Sequence, residues 1–211
     1  MGVSPPEQII GVACLVAHGT GLLFELQKPH KWSTDGNGTL HVGVGCIGGA
    51  VEPGETPEQA LQREALEEIG CGLKLWPAQE TTEVAPDGRT WSRRWTGGCV
   101  APAPVWESCV PGYVPGAKVA VYPGHPDGDP APVDLPAILA LTAEQMLRLG
   151  GDRRTLAEAI GDGATLRERR PVPRDACLKL LGTTDVLYRM SGPDARLTAA
   201  ILDAAQRHSR E

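Results

Sequence analysis

The sequence has no excess of basic residues, and this argues against two broad classes of partner. Its 211 residues include 20 Lys and Arg against 26 Asp and Glu, which gives a formal net charge of −6. Proteins that bind nucleic acid polymers or membrane surfaces are usually basic. We therefore expect neither a nucleic acid polymer nor a membrane as a partner. A small phosphorylated ligand stays compatible with this charge, because metal ions and local basic residues can offset it.

The sequence also lacks a long apolar run, a secretory leader pattern and closely paired cysteines. No stretch approaches the roughly 20 apolar residues that a membrane-spanning helix needs. The N-terminal residues, Met-Gly-Val-Ser-Pro-Pro-Glu-Gln, do not combine a basic segment with an apolar one. The six cysteines are scattered without a Cys-x-x-Cys pair, which favours reduced cysteines over zinc ligands or disulfides. We expect a cytoplasmic protein.

Short apolar runs separated by turn residues predict an α/β fold. The expected extended segments are 9–17, 22–27, 40–47, 73–84, 89–100, 118–122 and 134–141. One helix is expected after Thr56 and a second after Thr142, because both threonines begin a capping-box pattern. The stretch 101–136 is rich in proline and glycine, and apart from 118–122 we expect it to be mostly irregular. These elements define a first domain over residues 1–150.

The sequence changes character after Gly150 and Gly151. Three segments have helical spacing, namely 153–160, 175–181 and 194–208. We therefore predict a helical C-terminal extension over residues 151–211. It would pack on the first domain or on a second subunit, so a homodimer is one expected assembly. The alternative is a role in binding a partner or covering the substrate.

Three glutamates in the first predicted helix indicate a metal site. Glu64, Glu67 and Glu68 are three and four residues apart, so they share one face of an α-helix. Like charges this close weaken a helix by a few tenths of a kcal/mol per pair. Such a cluster makes sense if a cation neutralises it, and Mg²⁺ takes oxygen ligands of this kind. Pro57 and Gly70 predict where this helix begins and ends.

The segment from Gly49 to Cys71 resembles the Nudix box. In that motif a glycine is followed by five residues, a glutamate, seven residues, Arg-Glu, two residues, Glu-Glu, one residue and a second glycine. All the fixed positions are filled here, by Gly49, Glu55, Arg63, Glu64, Glu67, Glu68 and Gly70. The resemblance implies a Nudix-type α/β/α sandwich with a mixed sheet. It also implies metal-dependent hydrolysis of a pyrophosphate bond in a nucleoside diphosphate derivative, a small-molecule substrate.

The resemblance also implies which residues bind the metal. Glu64 and Glu68 are expected to be direct ligands of Mg²⁺ or Mn²⁺, and the backbone carbonyl of Gly49 a further ligand. Glu67 is expected either on the metal or as the catalytic general base. The identity of the base stays open, because some relatives use a glutamate from a later loop.

Other catalytic assignments concern residues around these ligands. Arg63 and Glu55 are expected to hold the acidic side chains in place. Three further glutamates are alternative loop donors for the general base, namely Glu80, Glu83 and Glu107.

Substrate selection is expected to depend on residues outside the motif. Trp91, Arg93, Arg94 and Trp95 form a set that could stack a base and contact phosphate. The alternative is that the tryptophans belong to a core or an interface. Pro86 lies fifteen residues after Cys71, where a proline marks the ADP-ribose pyrophosphatases, so the substrate prediction leans towards ADP-ribose or another nucleotide.

Two alternative functions remain open at this point. One is a Nudix domain that senses a ligand or binds a partner without turnover. The retention of every acidic residue of the motif favours catalysis over this alternative. The other is an isomerase of prenyl diphosphates, which would need a catalytic cysteine that the sequence does not single out.

Overall fold

A mixed β-sheet with helices on both faces forms the fold. The computed structural model describes residues 8–78, 80–85, 87, 89–94, 103–109, 116–191 and 203. The strands are β1 (Gln8–His18), β2 (Gly21–Leu26), β3 (Ser33–Thr34), β4 (Leu40–Ala50), β5 (Leu73–Leu75), β6 (Glu80–Val84), β7 (Thr90–Arg94), β8 (Trp106–Cys109), β9 (Ala117–Pro126), β10 (Ala137–Leu141), β11 (Arg154–Thr155), β12 (Thr165–Glu168) and β13 (Cys177–Leu180). The helices are α1 (Pro57–Ile69), α2 (Ala143–Gly151), α3 (Leu156–Gly161) and α4 (Gly182–Ser191).

The pairing of the strands brings distant parts of the chain together. The main path of the sheet runs β11-β13-β4-β2-β1-β9-β8-β6-β7. Strand β1 pairs antiparallel with β2 and β4 and parallel with β9. Strand β4 pairs antiparallel with β2 and parallel with β13, so it is covered on both edges. The end of β4 and the start of α1 are joined by the loop that carries the first part of the motif.

The two faces of the sheet bury separate apolar clusters. Along β1, side chains alternate between the faces, as the period of a strand requires. Val12 and Cys14 pack with Leu61 of α1 on one face. Leu15 packs with Met146 of α2 on the opposite face, where α4 also contributes to the cluster. The predicted α/β/α arrangement with a mixed sheet is confirmed.

Helix α1 begins and ends at the residues that the sequence predicts. The Thr56 hydroxyl accepts a hydrogen bond from the Gln59 amide at 3.2 Å, and the Gln59 side chain accepts one from the Thr56 amide at 2.9 Å. Pro57 occupies the first turn. Gly70 follows the helix with a φ of 71°, a left-handed conformation that glycine adopts without strain.

The last turn of α1 is held by a segment that comes much later in the chain. The backbone amides of Val133 and Asp134 donate hydrogen bonds to the carbonyls of Glu68 and Glu67, at 2.9 and 3.1 Å. These carbonyls have no partner within the helix, so the segment satisfies them. The turn that carries two of the motif glutamates is therefore fixed at its backbone.

Residues after 150 differ from the predicted helical extension. Helix α3 confirms the prediction for 153–160 in part, but the prediction for 175–181 is wrong, because β13 occupies that segment. Cys177 and Leu178 pair with His41 and Val42 of β4, so pairing with an open strand edge overrides helical spacing. The segment 194–208 lies outside the described residues, except for 203. A domain boundary at 150 stays a prediction, although β11, β12 and β13 all join the same sheet.

Smaller differences concern the region 101–136 and the cysteines. Strand β8 was not expected there, and β9 is longer than the predicted segment 118–122. The five cysteines in the described residues are free, at positions 14, 46, 71, 109 and 177, as expected for reduced thiols. Among the described residues, no helix has the length and apolar character to cross a membrane.

Candidate active site

The glutamates of the motif differ strongly in exposure although they share one face of α1. Glu68 is buried, and its Oε2 accepts a hydrogen bond from the Gly48 amide at 3.1 Å. The Glu64 side chain is 16% exposed and the Glu67 side chain is 56% exposed. Two carboxylates therefore face the interior beside the loop after β4, while Glu67 lies nearer to solvent.

Glycines of β4 create the space that these carboxylates occupy. A Cβ on Gly49 would lie 2.2 Å from Oε1 of Glu64, so any other residue would displace that carboxylate. A Cβ on Gly48 would lie 2.2 Å from the carbonyl oxygen of Val12, and the φ of Gly48 is 148°. Gly49 thus leaves room for a carboxylate, and Gly48 leaves room for the backbone of β1.

Arg63 links the loop to the helix through a set of charge-assisted hydrogen bonds. Its Nε and Nη2 donate to the two oxygens of Glu55 at 2.8 and 3.1 Å. Its Nη1 donates to Oε1 of Glu64 at 2.8 Å, and Nη2 also reaches the carbonyl of Ala50 at 3.0 Å. This guanidinium lowers the pKa of Glu55 and has its own pKa raised by both carboxylates. Arg63 thereby orients the Glu64 carboxylate towards Gly49.

Replacing Arg63 by alanine should harm both activity and stability moderately. The change removes the two hydrogen bonds that Arg63 donates to Glu55 and the one that it donates to Glu64. Hydrogen bonds between charged groups contribute about 1–3 kcal/mol each to stability. We expect a loss of about 10- to 100-fold in metal affinity, the range found when residues that orient metal ligands are removed. Isothermal titration with Mn²⁺ and thermal unfolding would measure both effects. Unaltered metal affinity would contradict the orienting role.

Glu25 is a fourth carboxylate in this region, and sequence reasoning missed it. It lies on β2, lines the pocket beside Gly48 and Gly49, and interacts electrostatically with Glu68 and Glu64. Burial, followed by the charge of Glu25, raises the pKa of Glu68 to about 8. Burial also raises the pKa of Glu25, and Lys31 and Lys28 oppose that effect. The available signal was a single charged residue within the apolar run Leu22–Leu26.

A pocket opens beside these carboxylates. It has a volume of about 230 Å³ and is lined by Gly11, Val12, Ala13, Glu25, Gln27, Gly45, Cys46, Gly48, Gly49, Val119, Leu181, Gly182 and Thr183. Leu181 lies between β13 and α4, and Gly182 and Thr183 begin α4, so a segment after residue 150 forms one wall. The pocket lies where a ligand could reach the carbonyls of the loop after β4.

The residues of the site fit a divalent cation in their chemistry. Carboxylate and carbonyl oxygens are the donors that Mg²⁺ and Mn²⁺ prefer. The glycine at position 49 leaves the carboxylate of Glu64 close to the backbone, in a space that a Cβ would fill. Within the part of the chain that the structure describes, no three Asp, Glu, His or Cys side chains already stand close enough to hold an ion. Binding would therefore draw the carboxylates closer together.

Two of the residues expected to contact the substrate, Trp91 and Arg93, lie on β7. Trp91 is 51% exposed on β7, the last strand of the main sheet path. Four strand spacings separate β7 from β1, which is about 19 Å along the sheet. Arg93 lies 3.6 Å from Glu107. The side chain of Arg94 and the whole of Trp95 lie outside the described residues, so their roles stay predictions.

The alternative donors for a general base were expected in loops, but the structure places them on strands. Glu80 and Glu83 are in β6, and Glu107 is in β8. Glu83 and Glu107 both contact the buried Lys118, at 3.0 and 3.3 Å. These two carboxylates thus neutralise a lysine. Pro86 lies outside the described residues.

Comparisons with known proteins agree with the motif. The NUDIX domain model matches residues 8–108. No curated protein matches the chain by sequence. Among solved structures, a NUDIX family hydrolase from Clostridium perfringens is similar, with a TM-score of 0.42, 16% identity, and 66% of this chain and 84% of that chain covered. A MutT protein from Methanosarcina mazei has a TM-score of 0.39 and 16% identity, covering 69% and 84%. The E. coli ORF135 protein has a TM-score of 0.38 and 17% identity, covering 68% and 79%.

Proposed function

The chain belongs to the Nudix hydrolase superfamily through its domain at residues 8–108, and on this premise we propose that it cleaves the pyrophosphate bond of a nucleoside-diphosphate-linked substrate with Mg²⁺ or Mn²⁺. Nudix hydrolases act on phosphorus-containing anhydrides and generally use divalent metals. The observation that carries the proposal is the position of Glu64 and Glu68 against Gly48 and Gly49, at the edge of a pocket. Gly48 and Gly49, which lie against these carboxylates, also line the pocket.

The proposed metal ligands are Glu64, Glu68 and the carbonyl of Gly49. When bound, a divalent cation would neutralise charge on the pyrophosphate and lower the pKa of a water molecule. Glu68 is suited to this role because the Gly48 amide holds one of its oxygens. Glu64 is suited because Arg63 restricts its rotation.

Glu67 is the proposed general base. It is the most exposed of the motif glutamates, so it can exchange a proton with solvent between turnovers. It lies three residues from Glu64 on the same face of α1, and its Oε2 lies 3.6 Å from Nη1 of Arg63. Glu83 and Glu107 are less suited, because Lys118 already neutralises them. A glutamine at position 67 would keep the shape and remove the base.

The substrate is proposed to be a nucleotide derivative, with ADP-ribose as the first compound to test. A panel should contain ADP-ribose, nucleoside triphosphates, nucleotide sugars, dinucleotides and dinucleoside polyphosphates. Each is incubated with and without Mg²⁺ or Mn²⁺, and a coupled phosphatase releases phosphate from nucleoside monophosphate products. Strong turnover of one class, abolished by chelation, is the expected result. Metal binding without turnover of any diphosphate would overturn the catalytic proposal in favour of a ligand-sensing module.

A further inference from the structure

We propose that Glu25 of β2 donates a carboxylate oxygen to the same divalent cation as Glu68, as a ligand outside the Nudix motif. The inference rests on the proposed function, since it adds a residue to that metal site. The proposed ligand lies outside the motif, because β2 ends at Leu26 and the motif begins only at Gly49. Three kinds of observation support it: strand register, the space above a glycine, and the distribution of charge.

The register of β2 places Glu25 on the face that carries α1. Leu23, two residues earlier, packs in the apolar cluster of α1, whereas Phe24 packs in the cluster on the other face. Side chains two residues apart in a strand point to the same face. Glu25 therefore projects towards α1 and its acidic residues. It also lines the pocket together with Gly48 and Gly49.

The residue opposite Glu25 on β4 is a glycine, and the carboxylate occupies the space above it. Glu25 pairs with Gly45 across the strands. A Cβ on Gly45 would lie 2.5 Å from Oε1 of Glu25. The same relation holds between Gly49 and Glu64, where the distance would be 2.2 Å. Gly45 and Gly49 are four residues apart on β4, so two carboxylates rest above one face of one strand.

Glu25 lies among both acidic and basic side chains. Glu68 and Glu64 act on it electrostatically, and the charges of Lys31 and Lys28 offset part of this negative charge. Lys28 approaches both Glu25 and Glu68, but its ammonium group is bonded to Asp134. Carboxylate oxygens are the ligands that hard divalent ions take in proteins. Glu25 thereby brings β2 into the metal site.

The decisive experiment measures Mn²⁺ binding directly, by isothermal titration and by the electron paramagnetic resonance signal of free Mn²⁺. The proteins compared are the wild type, Glu25→Gln, Glu68→Gln and the control Glu144→Gln, which changes an exposed carboxylate of α2. Glu25→Gln should weaken Mn²⁺ binding at least about tenfold, the lower bound found for residues one step further from a metal. Glu144→Gln should bind as the wild type does.

A second variant separates the position of the carboxylate from its charge. Gly45→Ala keeps Glu25 but fills the space beneath it, so it should weaken Mn²⁺ binding in the same direction. Gly161→Ala is the matched control, because a Cβ there meets nothing within 4 Å. Circular dichroism verifies that each variant is folded. If Glu25→Gln does not fold, the Mn²⁺ affinity of Gly45→Ala decides whether Glu25 contributes to the metal site.

The outcomes distinguish this inference from the function on which it rests. Loss of binding in both Glu68→Gln and Glu25→Gln supports both. Loss in Glu68→Gln with wild-type affinity in Glu25→Gln overturns the role of Glu25 and leaves the proposed function standing. A wild type that binds no Mn²⁺ overturns both.

Discussion

Replacing Glu68 by glutamine should lower the metal-dependent hydrolysis rate by about a thousandfold or more while the protein stays folded. The substitution removes a charged metal ligand, and a bound cation contributes several kcal/mol to stabilising charge in the transition state. Each 1.36 kcal/mol added to the activation free energy slows a reaction tenfold, so a thousandfold loss corresponds to about 4 kcal/mol. Glutamine retains the size of the side chain, so packing beneath α1 is preserved. Steady-state kinetics at saturating Mg²⁺, with the substrate found in the panel, measures the effect.

Two further variants give this experiment its controls. Glu67→Gln should also reduce kcat by orders of magnitude, but with Mn²⁺ affinity closer to that of the wild type if Glu67 is the base. Glu144→Gln removes an exposed charge and should leave kcat unchanged. Near-normal metal-dependent turnover in Glu68→Gln would show that the ligand assignment is wrong. A large drop in its melting temperature would point to a structural cause instead.

Stability should depend on pH more strongly without metal than with it. Glu68 has its pKa raised from 4.5 to about 8, so between these values the folded protein holds a proton that the unfolded chain releases. Stability of the metal-free protein should therefore fall as pH rises from about 5 to 8. A cation replaces that proton, so stabilisation by Mg²⁺ should grow over the same interval. When the free Mg²⁺ concentration is 100 times the Kd, this stabilisation reaches about 2.7 kcal/mol. For a chain of this size that raises Tm by roughly 5–10 °C.

Thermal unfolding in EDTA and in Mg²⁺, measured from pH 5 to pH 9, tests this dependence. The variant Glu68→Gln carries no ionisable group at that position. Its metal-free stability should vary less with pH than that of the wild type. A metal-free wild type that becomes steadily more stable between pH 5 and pH 8 would contradict the prediction.

The features predicted best from the sequence are those that depend on neighbours along the chain. Helix α1 is specified by Thr56, Gln59 and Gly70, which act within one or two turns of its ends. The contact between Arg63 and Glu64 is likewise local. In each case the interacting residues lie within one short segment.

What sequence reasoning missed depends on pairing between distant segments. Glu25 becomes part of the site because β2 aligns it with Gly45, and a shift of one residue would turn it to the opposite face. The segment 177–180 has helical spacing, yet the open edge of β4 makes it a strand. The sequence predicts a strand that carries Trp91 and Arg93 but not that this strand ends the sheet path. Their role in substrate binding stays a prediction.

The parallel pairing of β13 with β4 also bears on how the chain folds during synthesis. Strand β4 emerges from the ribosome early, with the motif immediately behind it, but its second edge is covered only after residues 177–180 have been made. Until then, unpaired backbone groups next to the future pocket are available to other chains. The segment that forms α1 is therefore synthesised well before the strand that covers the neighbouring sheet edge. Slow translation between β4 and β13 should favour aggregation over native folding.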